Sequence, residues 1–196
     1  AIERNPVEEW QSMALAEKQP DAAFTALLSL ARLGAAEAQP AVLKSLTSFP
    51  FAKLSEEQTL NKLRVIEVSV ARHGVPTGDI AKQVIDDVSP LYPAASQPVN
   101  RELCQVLIAL NAPNAVEKTV ALLKVAPTQE EQVMYAVSLR NVKAGWTPEL
   151  RRTYLSWWNQ PNLTEHPAQV NQWFEEAGIR FNNGASFANF MAHAHE

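Results

Sequence analysis

The sequence predicts an all-α fold and, within that class, an α-solenoid in which short helices stack as antiparallel pairs. The clearest observation is a series of four helix-like segments over residues 100–158, each with a start signal in front of it. Apolar residues recur every three or four positions, as on the buried face of a helix, and no apolar–polar alternation bounded by hairpin turns accompanies them. Arrays of this kind usually bind or hold other molecules and seldom catalyse reactions.

The start signals are residues that cap helix N-termini, namely Asn100, Asn114, Thr128 and Thr147. Asn114 and Thr128 are each followed three residues later by a glutamate, whose carboxylate can accept a hydrogen bond from the amide of the capping residue. A proline follows Thr147 at the first helical position, where its missing N–H group is tolerated. Ser55 and Gln58 repeat the capping pattern. Each signal predicts that a helix begins there.

The glycines at predicted helix ends and the spacing of the helix starts extend the all-α prediction to the whole chain. Glycine is expected as the left-handed residue after a helix at Gly34, Gly74, Gly145 and Gly178. Helices are predicted at 6–18, 21–34, 38–49, 55–74, 77–91, 99–111, 114–126, 128–144, 147–159, 167–178 and 185–194. Successive helices begin about 15 to 22 residues apart, so a pair recurs about every 35 to 40 residues, the spacing of HEAT-type repeats. We therefore expect a HEAT-like, right-handed superhelix.

The composition places the chain among folded proteins. Of its 196 residues, 46% are hydrophobic and 19% are charged, which is ordinary for a globular protein and not for a disordered one. We expect a single helical repeat domain over 1–196, as part of a longer chain. The net charge of −4 argues against nucleic acid as a partner, because phosphate contacts need clustered cations. No apolar run approaches the roughly 18 residues that a membrane span needs.

The residue types that carry chemistry are sparse. Cys104 is the single cysteine, and its apolar helical surroundings predict a small buried side chain rather than a reactive thiol. His73 ends a helix, where a cation stabilises the helix dipole. His193 and His195 are two apart and do not share a helix face. The sequence contains no HExxH, glycine-rich phosphate loop, GxSxG or CxxCH motif. We therefore expect no catalytic residue, no metal and no cofactor.

The best candidate for a binding surface combines cations and aromatic residues around one predicted turn, the residue types that dominate protein interfaces. Its members are Arg140, Lys143, Trp146, Arg151 and Arg152. Structural alternatives stay open: Arg140 and Lys143 also suit a helix C-terminus, and Trp146 also suits the position before an N-cap. Trp157, which follows Leu150 and Tyr154 on one helix face, is expected in the core.

The segments LRVIEVSVARHGVP, NREL, APTQEEQVMYAVSLRNVKAGWTPELRRTYLSWW and NNGASFANF, taken together, resemble a known family. It is the HEAT-like repeat segment of very large secreted bacterial proteins that join a β-propeller, described as membrane-bound dehydrogenase-like, to such repeats and to a c-type cytochrome module. The likeness covers about residues 60–158 and 184–190. It departs at Asn183-Gly184-Ala185, where the family has a glycine pair. The resemblance implies a periplasmic or extracellular location and supplies no catalytic residue.

Taken together, these observations predict a non-catalytic scaffold or docking domain. It would position neighbouring domains or a protein partner in an extracytoplasmic redox or carbohydrate-handling protein, with an acidic partner surface preferred by the cations of the 140–152 region. Two alternatives of other classes remain. One is an enzyme on HEAT repeats, such as a DNA glycosylase, which needs a basic concave face. The other is a small-ligand module with an apolar cleft and a few convergent polar groups.

Overall fold

The computed structural model describes residues 5–158, in which the chain forms α-helices, short 3₁₀ turns and no β-strand. The all-α prediction is confirmed for this part of the chain. The helices are α1 (Val7–Ala16), α2 (Pro20–Leu33), α3 (Gln39–Leu46), α4 (Glu56–His73), α5 (Gly78–Val88), α6 (Gln97–Ala109), α7 (Ala115–Val125), α8 (Gln129–Leu139) and α9 (Pro148–Trp158). Each coincides with a predicted helix. The helices predicted at 167–178 and 185–194 lie outside the described residues.

Three helices end three or more residues earlier than predicted. α5 ends at Val88 and is followed by a 3₁₀ turn over Ser89–Leu91. In α3 and α8, hydrogen bonds between residues three apart turn the chain. α3 ends at Leu46, and the amide of Phe49 donates to the Leu46 carbonyl oxygen at 3.1 Å. The tightened turn carries Phe49 and Phe51 into the core. α8 ends at Leu139, whose carbonyl accepts from the amide of Val142 at 3.1 Å. Residues 140–147 therefore form a link rather than a continuation of the helix.

Three of the predicted caps are confirmed. The Ser55 hydroxyl accepts from the Gln58 amide, and the Gln58 side chain accepts from the Ser55 amide, both at 3.2 Å. The Thr128 hydroxyl accepts from the amide of Glu131 at 3.2 Å. The Thr147 hydroxyl accepts from the amide three residues on, also at 3.2 Å. Local sequence determined where these helices begin, since each bond joins residues close in the chain.

The caps predicted at Asn100 and Asn114 are wrong. α6 begins earlier, with Ser96 as its N-cap, and Asn100 lies buried within the helix. The Asn100 side chain instead holds the backbone of Ala94, accepting from its N–H and donating to its C=O, both at 2.6 Å. Asn114 does precede α7, but with a left-handed φ of 61° and no capping bond. Capping side chains reach the first-turn amides from extended backbone, so this conformation explains the missing bond.

The left-handed backbone conformation predicted for glycines at helix ends is found at some of these positions and not at others. Gly74 follows α4 with φ 84°, as expected of a left-handed residue after a helix. Gly34 has φ −68°, so the prediction of a left-handed residue there is wrong. Space is what requires glycine at this position, because a Cβ atom on Gly34 would lie 2.6 Å from the Leu30 carbonyl oxygen. Gly145 has φ 81° but lies inside the link after α8. Gly178 lies outside the described residues.

Helices α1–α6 and α8 pack as two rows. In one row α2 contacts α4, α4 contacts α6, and α6 contacts α8; in the other, α1 contacts α3 and α3 contacts α5. Helices consecutive in the chain also contact each other across the rows, as α1 does α2 and α3 does α4. α7 packs against both α6 and α8. Each pair of consecutive helices is thereby packed on the next pair.

The core between the rows is made mainly of leucine side chains from both rows. Its largest fully buried apolar members include Leu27, Leu30, Leu43, Leu46, Leu63, Ile66, Leu103, Leu107, Leu123 and Leu139. Phe24 of α2 meets Phe49 edge to face, with ring centroids 5.2 Å apart. Within residues 5–158, each helix is too short or too polar to cross a bilayer.

The chain divides into two compact units, Ala1–Trp146 and Thr147–Glu196. The first holds α1–α8, and the second begins with α9. The expectation of one domain over 1–196 stays a prediction, because most of the second unit lies outside the described residues.

Candidate functional site

Three of the five predicted partner-binding residues lie in the link that ends the first unit. Arg140 caps the C-terminus of α8, and Lys143 follows in the link; both are exposed. Trp146 is partly buried, and its indole Nε1–H donates to the Val142 carbonyl oxygen at 2.7 Å. The link 140–146 thus presents two cations on a turn braced by a tryptophan, and we call it the Trp146 turn. Trp146 is neither a fully exposed anchor nor a fully buried core residue.

The other two predicted residues, Arg151 and Arg152, lie side by side near the start of α9 in the second unit, and both are exposed. On the same helix Tyr154 and Trp157 are buried, as predicted for the helix face that they share with Leu150. The ring of Trp158 meets each of them edge to face, at centroid distances of 5.9 Å and 4.9 Å. The aromatic residues of α9 therefore have a packing role.

A cavity of about 210 Å³ lies beside the Trp146 turn within the first unit. One wall is the turn between α6 and α7, and the other is the link itself, from Val142 to Gly145. The two approach closely, since a Cβ atom on Gly145 would lie 3.2 Å from a methyl group of Val116. The walls are mainly aliphatic and carry the side chains of Asn111 and Asn114. We call this space the Gly145 cavity.

The conformation of Asn111 has a structural explanation. It follows α6 with a left-handed φ of 52°. Its amide donates to the Ile108 carbonyl oxygen at 3.0 Å, and the amide of Ala112 donates to the Leu107 carbonyl oxygen at 2.9 Å. This pair of bonds is the Schellman arrangement that closes a helix C-terminus, with asparagine where glycine is commonest. The rim of the Gly145 cavity is therefore fixed by a helix cap.

A second cleft, of about 340 Å³, opens where the α5–α6 link meets the turn between α7 and α8. Tyr135 of α8 lines it, and we call it the Tyr135 cleft. The remaining lining residues come from three separate segments of the chain, namely Ala95, Gln97, Asn100, Leu122, Val125, Ala126, Pro127 and Glu131. Because no short sequence motif contains them, the cleft cannot be predicted from the sequence pattern.

The buried lysine Lys62 was not predicted from the sequence either. Its side chain is fully buried in α4, and Nζ donates to Asp87 Oδ2 at 2.7 Å and to the Phe49 carbonyl oxygen at 2.9 Å. Nζ also lies 3.8 Å from the ring centroid of Phe51. Burial lowers the pKa of Lys62, against the opposing effect of the Asp87 carboxylate. Lys62 shares a helix face with Ile66, which was the available signal, but lysine on a helix is usually exposed.

Cys104 is fully buried, as predicted, and belongs to a polar network between α6 and α7. The Thr119 hydroxyl donates to the Ala115 carbonyl oxygen at 2.7 Å, so the Tyr92 hydroxyl, 3.0 Å away, is the donor to Thr119. The Cys104 sulfur lies 3.7 Å from the same Thr119 oxygen. Burial raises the pKa of Cys104 and of Tyr92. A thiol held protonated in this way is a poor nucleophile.

Metal ligands do not gather in the part of the chain that the structure describes, where no three His, Cys, Asp or Glu side chains come close enough to hold an ion. His73, at the end of α4, makes a local contact, with Nε2 3.0 Å from the carbonyl oxygen of Ala31. His193 and His195 lie outside residues 5–158. Comparison of the chain with family models, curated proteins and solved structures finds no match. The resemblance to the repeat segment of secreted bacterial proteins therefore stays a prediction.

Proposed function

We propose that this protein is a non-catalytic scaffold of the HEAT-like α-solenoid class, which docks a protein partner or a neighbouring domain. The observation that supports the solenoid is the packing of α1–α6 and α8 in two rows, with α7 against α6 and α8. Pairs packed in this way leave long surfaces for contact. The right-handed superhelix and the HEAT class are part of the proposal.

The docking surface that we propose is the Trp146 turn with the adjoining Gly145 cavity. Lys143 and Arg140 carry positive charge on a molecule whose net charge is −4, so this turn favours an acidic partner. The cavity accepts an aliphatic side chain, because its walls are mainly carbon. Arg151 and Arg152, the other two predicted partner-binding residues, belong to the second unit, where both are exposed. Tryptophan and arginine are the residues that most often dominate interface energies.

By the resemblance of its sequence, we propose a periplasmic or extracellular location, within a larger multidomain redox or carbohydrate-handling protein. In that setting the reaction belongs to the neighbouring domains, and this segment holds them in position. The lone cysteine and the absence of the CxxCH motif are compatible with this role.

The preference for acidic partners can be tested by selecting random displayed peptides on the purified protein. We expect enriched sequences that combine Asp or Glu with an aliphatic residue. A selected peptide should bind the Lys143→Glu variant about tenfold more weakly, whereas Lys44→Glu, at an exposed lysine of α3, should leave its affinity unchanged. Trp146→Ala should weaken binding by about 2 kcal/mol. Because Trp146 is partly buried, its variant also needs a thermal melt, which is why Lys143→Glu is the primary test.

Two outcomes would contradict the proposed surface. Enrichment of basic peptides would remove the acidic partner. Equal binding of the selected peptides to the wild type and to Lys143→Glu would place docking elsewhere on the molecule.

A further inference from the structure

The Tyr135 cleft combines an aliphatic wall with several polar side chains. Leu122, Val125 and Pro127 form the aliphatic side. Val125, the last residue of α7, is 73% exposed at the mouth of the cleft. An exposed apolar residue at the mouth of a cleft gives a ligand carbon chain a surface to cover.

The polar side of the cleft is formed by Tyr135 and Glu131, one turn apart on α8. Neither the Tyr135 hydroxyl nor the Glu131 carboxylate makes a hydrogen bond to any residue of the described part of the chain. Asn100, which also lines the cleft, is already engaged through both bonds to Ala94. The groups left to meet a ligand are therefore one carboxylate and one hydroxyl, with the amide of Gln97 beside them.

The Glu131 carboxylate makes the cleft electrically negative. Burial, the neighbouring Cys104 and the charge of Glu131 together raise the pKa of Tyr135 to about 12. Among the lining residues Glu131 is the one that is charged at neutral pH.

We propose that the Tyr135 cleft binds the lysine side chain of a partner polypeptide, with the ammonium group at Glu131 and the Tyr135 hydroxyl and the methylene chain along Leu122 and Pro127. The site is distinct from the Trp146 turn and does not depend on its proposed function. An ammonium group donates three hydrogen bonds, which matches a cleft that offers oxygen acceptors. An anionic ligand is disfavoured by Glu131, and a neutral aliphatic ligand leaves the carboxylate without a donor.

The proposal can be tested with the lysine side chain as an isolated probe. N-acetyl-lysine-N-methylamide is titrated into the whole protein, and binding is followed by NMR through the methyl groups of Leu122 and Val125. The norleucine analogue has the same carbon chain without the charge. We expect the lysine probe to bind about tenfold more tightly than the norleucine probe, with the preference decreasing as salt is added.

A matched pair of variants isolates the carboxylate. Glu131→Gln should abolish the preference for lysine over norleucine, and it is compatible with the fold because glutamine also suits the third position after an N-cap. Glu130→Gln removes a charge from the neighbouring exposed residue, which does not line the cleft, and should leave the preference intact. A nitrogen-15 spectrum of each variant verifies that the fold is retained.

Three results would overturn the proposal. One is equal binding of the lysine and norleucine probes, which would mean a purely apolar cleft. The second is loss of the preference in Glu130→Gln as much as in Glu131→Gln, which would mean a diffuse field rather than a site. The third is tighter binding of the arginine analogue than of the lysine probe, which would exclude lysine as the preferred residue.

Discussion

Removal of the Asp87 charge should destabilise the protein strongly, because Asp87 is the carboxylate that faces the buried ammonium group of Lys62. Breaking a fully buried ion pair by removing one partner typically costs about 3 to 5 kcal/mol. Two features reduce that figure in Asp87→Asn. The Asp87 side chain is 36% exposed, so water already screens it, and the asparagine oxygen can still accept from Lys62. Lys62 also keeps the Phe49 carbonyl and the Phe51 ring. We expect a loss of about 2 kcal/mol in the free energy of unfolding.

Asp86→Asn is the matched control. Asp86 is adjacent in the last turn of α5 and pairs with Lys82, but both side chains are exposed. An exposed pair of this kind is screened by water and contributes little to stability. Both aspartates lie at a helix C-terminus, where negative charge is unfavourable, so that effect is common to the two variants and cancels. Urea unfolding at pH 7, followed by circular dichroism, measures the difference between them.

The pH dependence gives an independent check. The folded-state pKa of Lys62 is lowered, so the unfolded chain binds more protons between that pKa and the ordinary lysine value, and stability rises with pH in this interval. Without the Asp87 charge the folded-state pKa of Lys62 falls further. The pH range over which stability rises then extends to lower pH. Asp87→Asn should therefore gain more stability than the wild type as the pH rises toward the ordinary pKa of lysine.

Equal, small losses of stability in Asp87→Asn and Asp86→Asn would refute this reasoning. They would mean that Lys62 is either uncharged in the fold at pH 7 or reached by water. The same conclusion would follow if Asp87→Asn showed no steeper rise of stability with pH than the wild type.

Three further outcomes are expected. Asn111→Gly should raise the free energy of unfolding by about 0.5 to 1 kcal/mol in urea titrations, because glycine adopts the left-handed φ of the α6 cap without strain. Gly34→Ala should lower the thermal midpoint by several degrees, as expected for a loss of about 2 kcal/mol, because its Cβ atom would meet backbone rather than a movable side chain. The thiol of Cys104 should react with a disulfide reagent only at the rate of unfolding; fast reaction of the native protein would contradict its burial.

Local signals explain why the helices could be predicted from sequence. The Ser55–Gln58 box and the Thr128 cap depend on residues three apart, so their geometry is contained in the sequence itself. Asn100 failed as a cap because its side chain is used by Ala94, six residues away, in a link whose path depends on packing. A sequence pattern therefore predicts the side chain that hydrogen-bonds a backbone group well when the two are close in the chain. It predicts that side chain poorly when packing brings the two together.

The candidate sites depended more heavily on tertiary structure. The Trp146 turn was predicted because its cations and tryptophan are close in sequence. Lys62 was missed because its burial depends on the turn after α3, which brings Phe49 and Phe51 over α4. The Tyr135 cleft was missed for a similar reason, since Gln97 and Val125 are brought together only when α6 and α7 pack.

The two bonds from Asn100 to Ala94 have a consequence for the speed of binding. Lys118 adds two further bonds, because its Nζ donates to the carbonyl oxygens of Ser89 and Tyr92 at 3.1 Å and 2.7 Å. These bonds and those of Asn100 hold the α5–α6 link, which forms one wall of the Tyr135 cleft. A wall held in advance has no loop to order when a ligand arrives. Association should then occur in a single step limited by encounter, and ligands of different affinity should differ mainly in how long they stay bound.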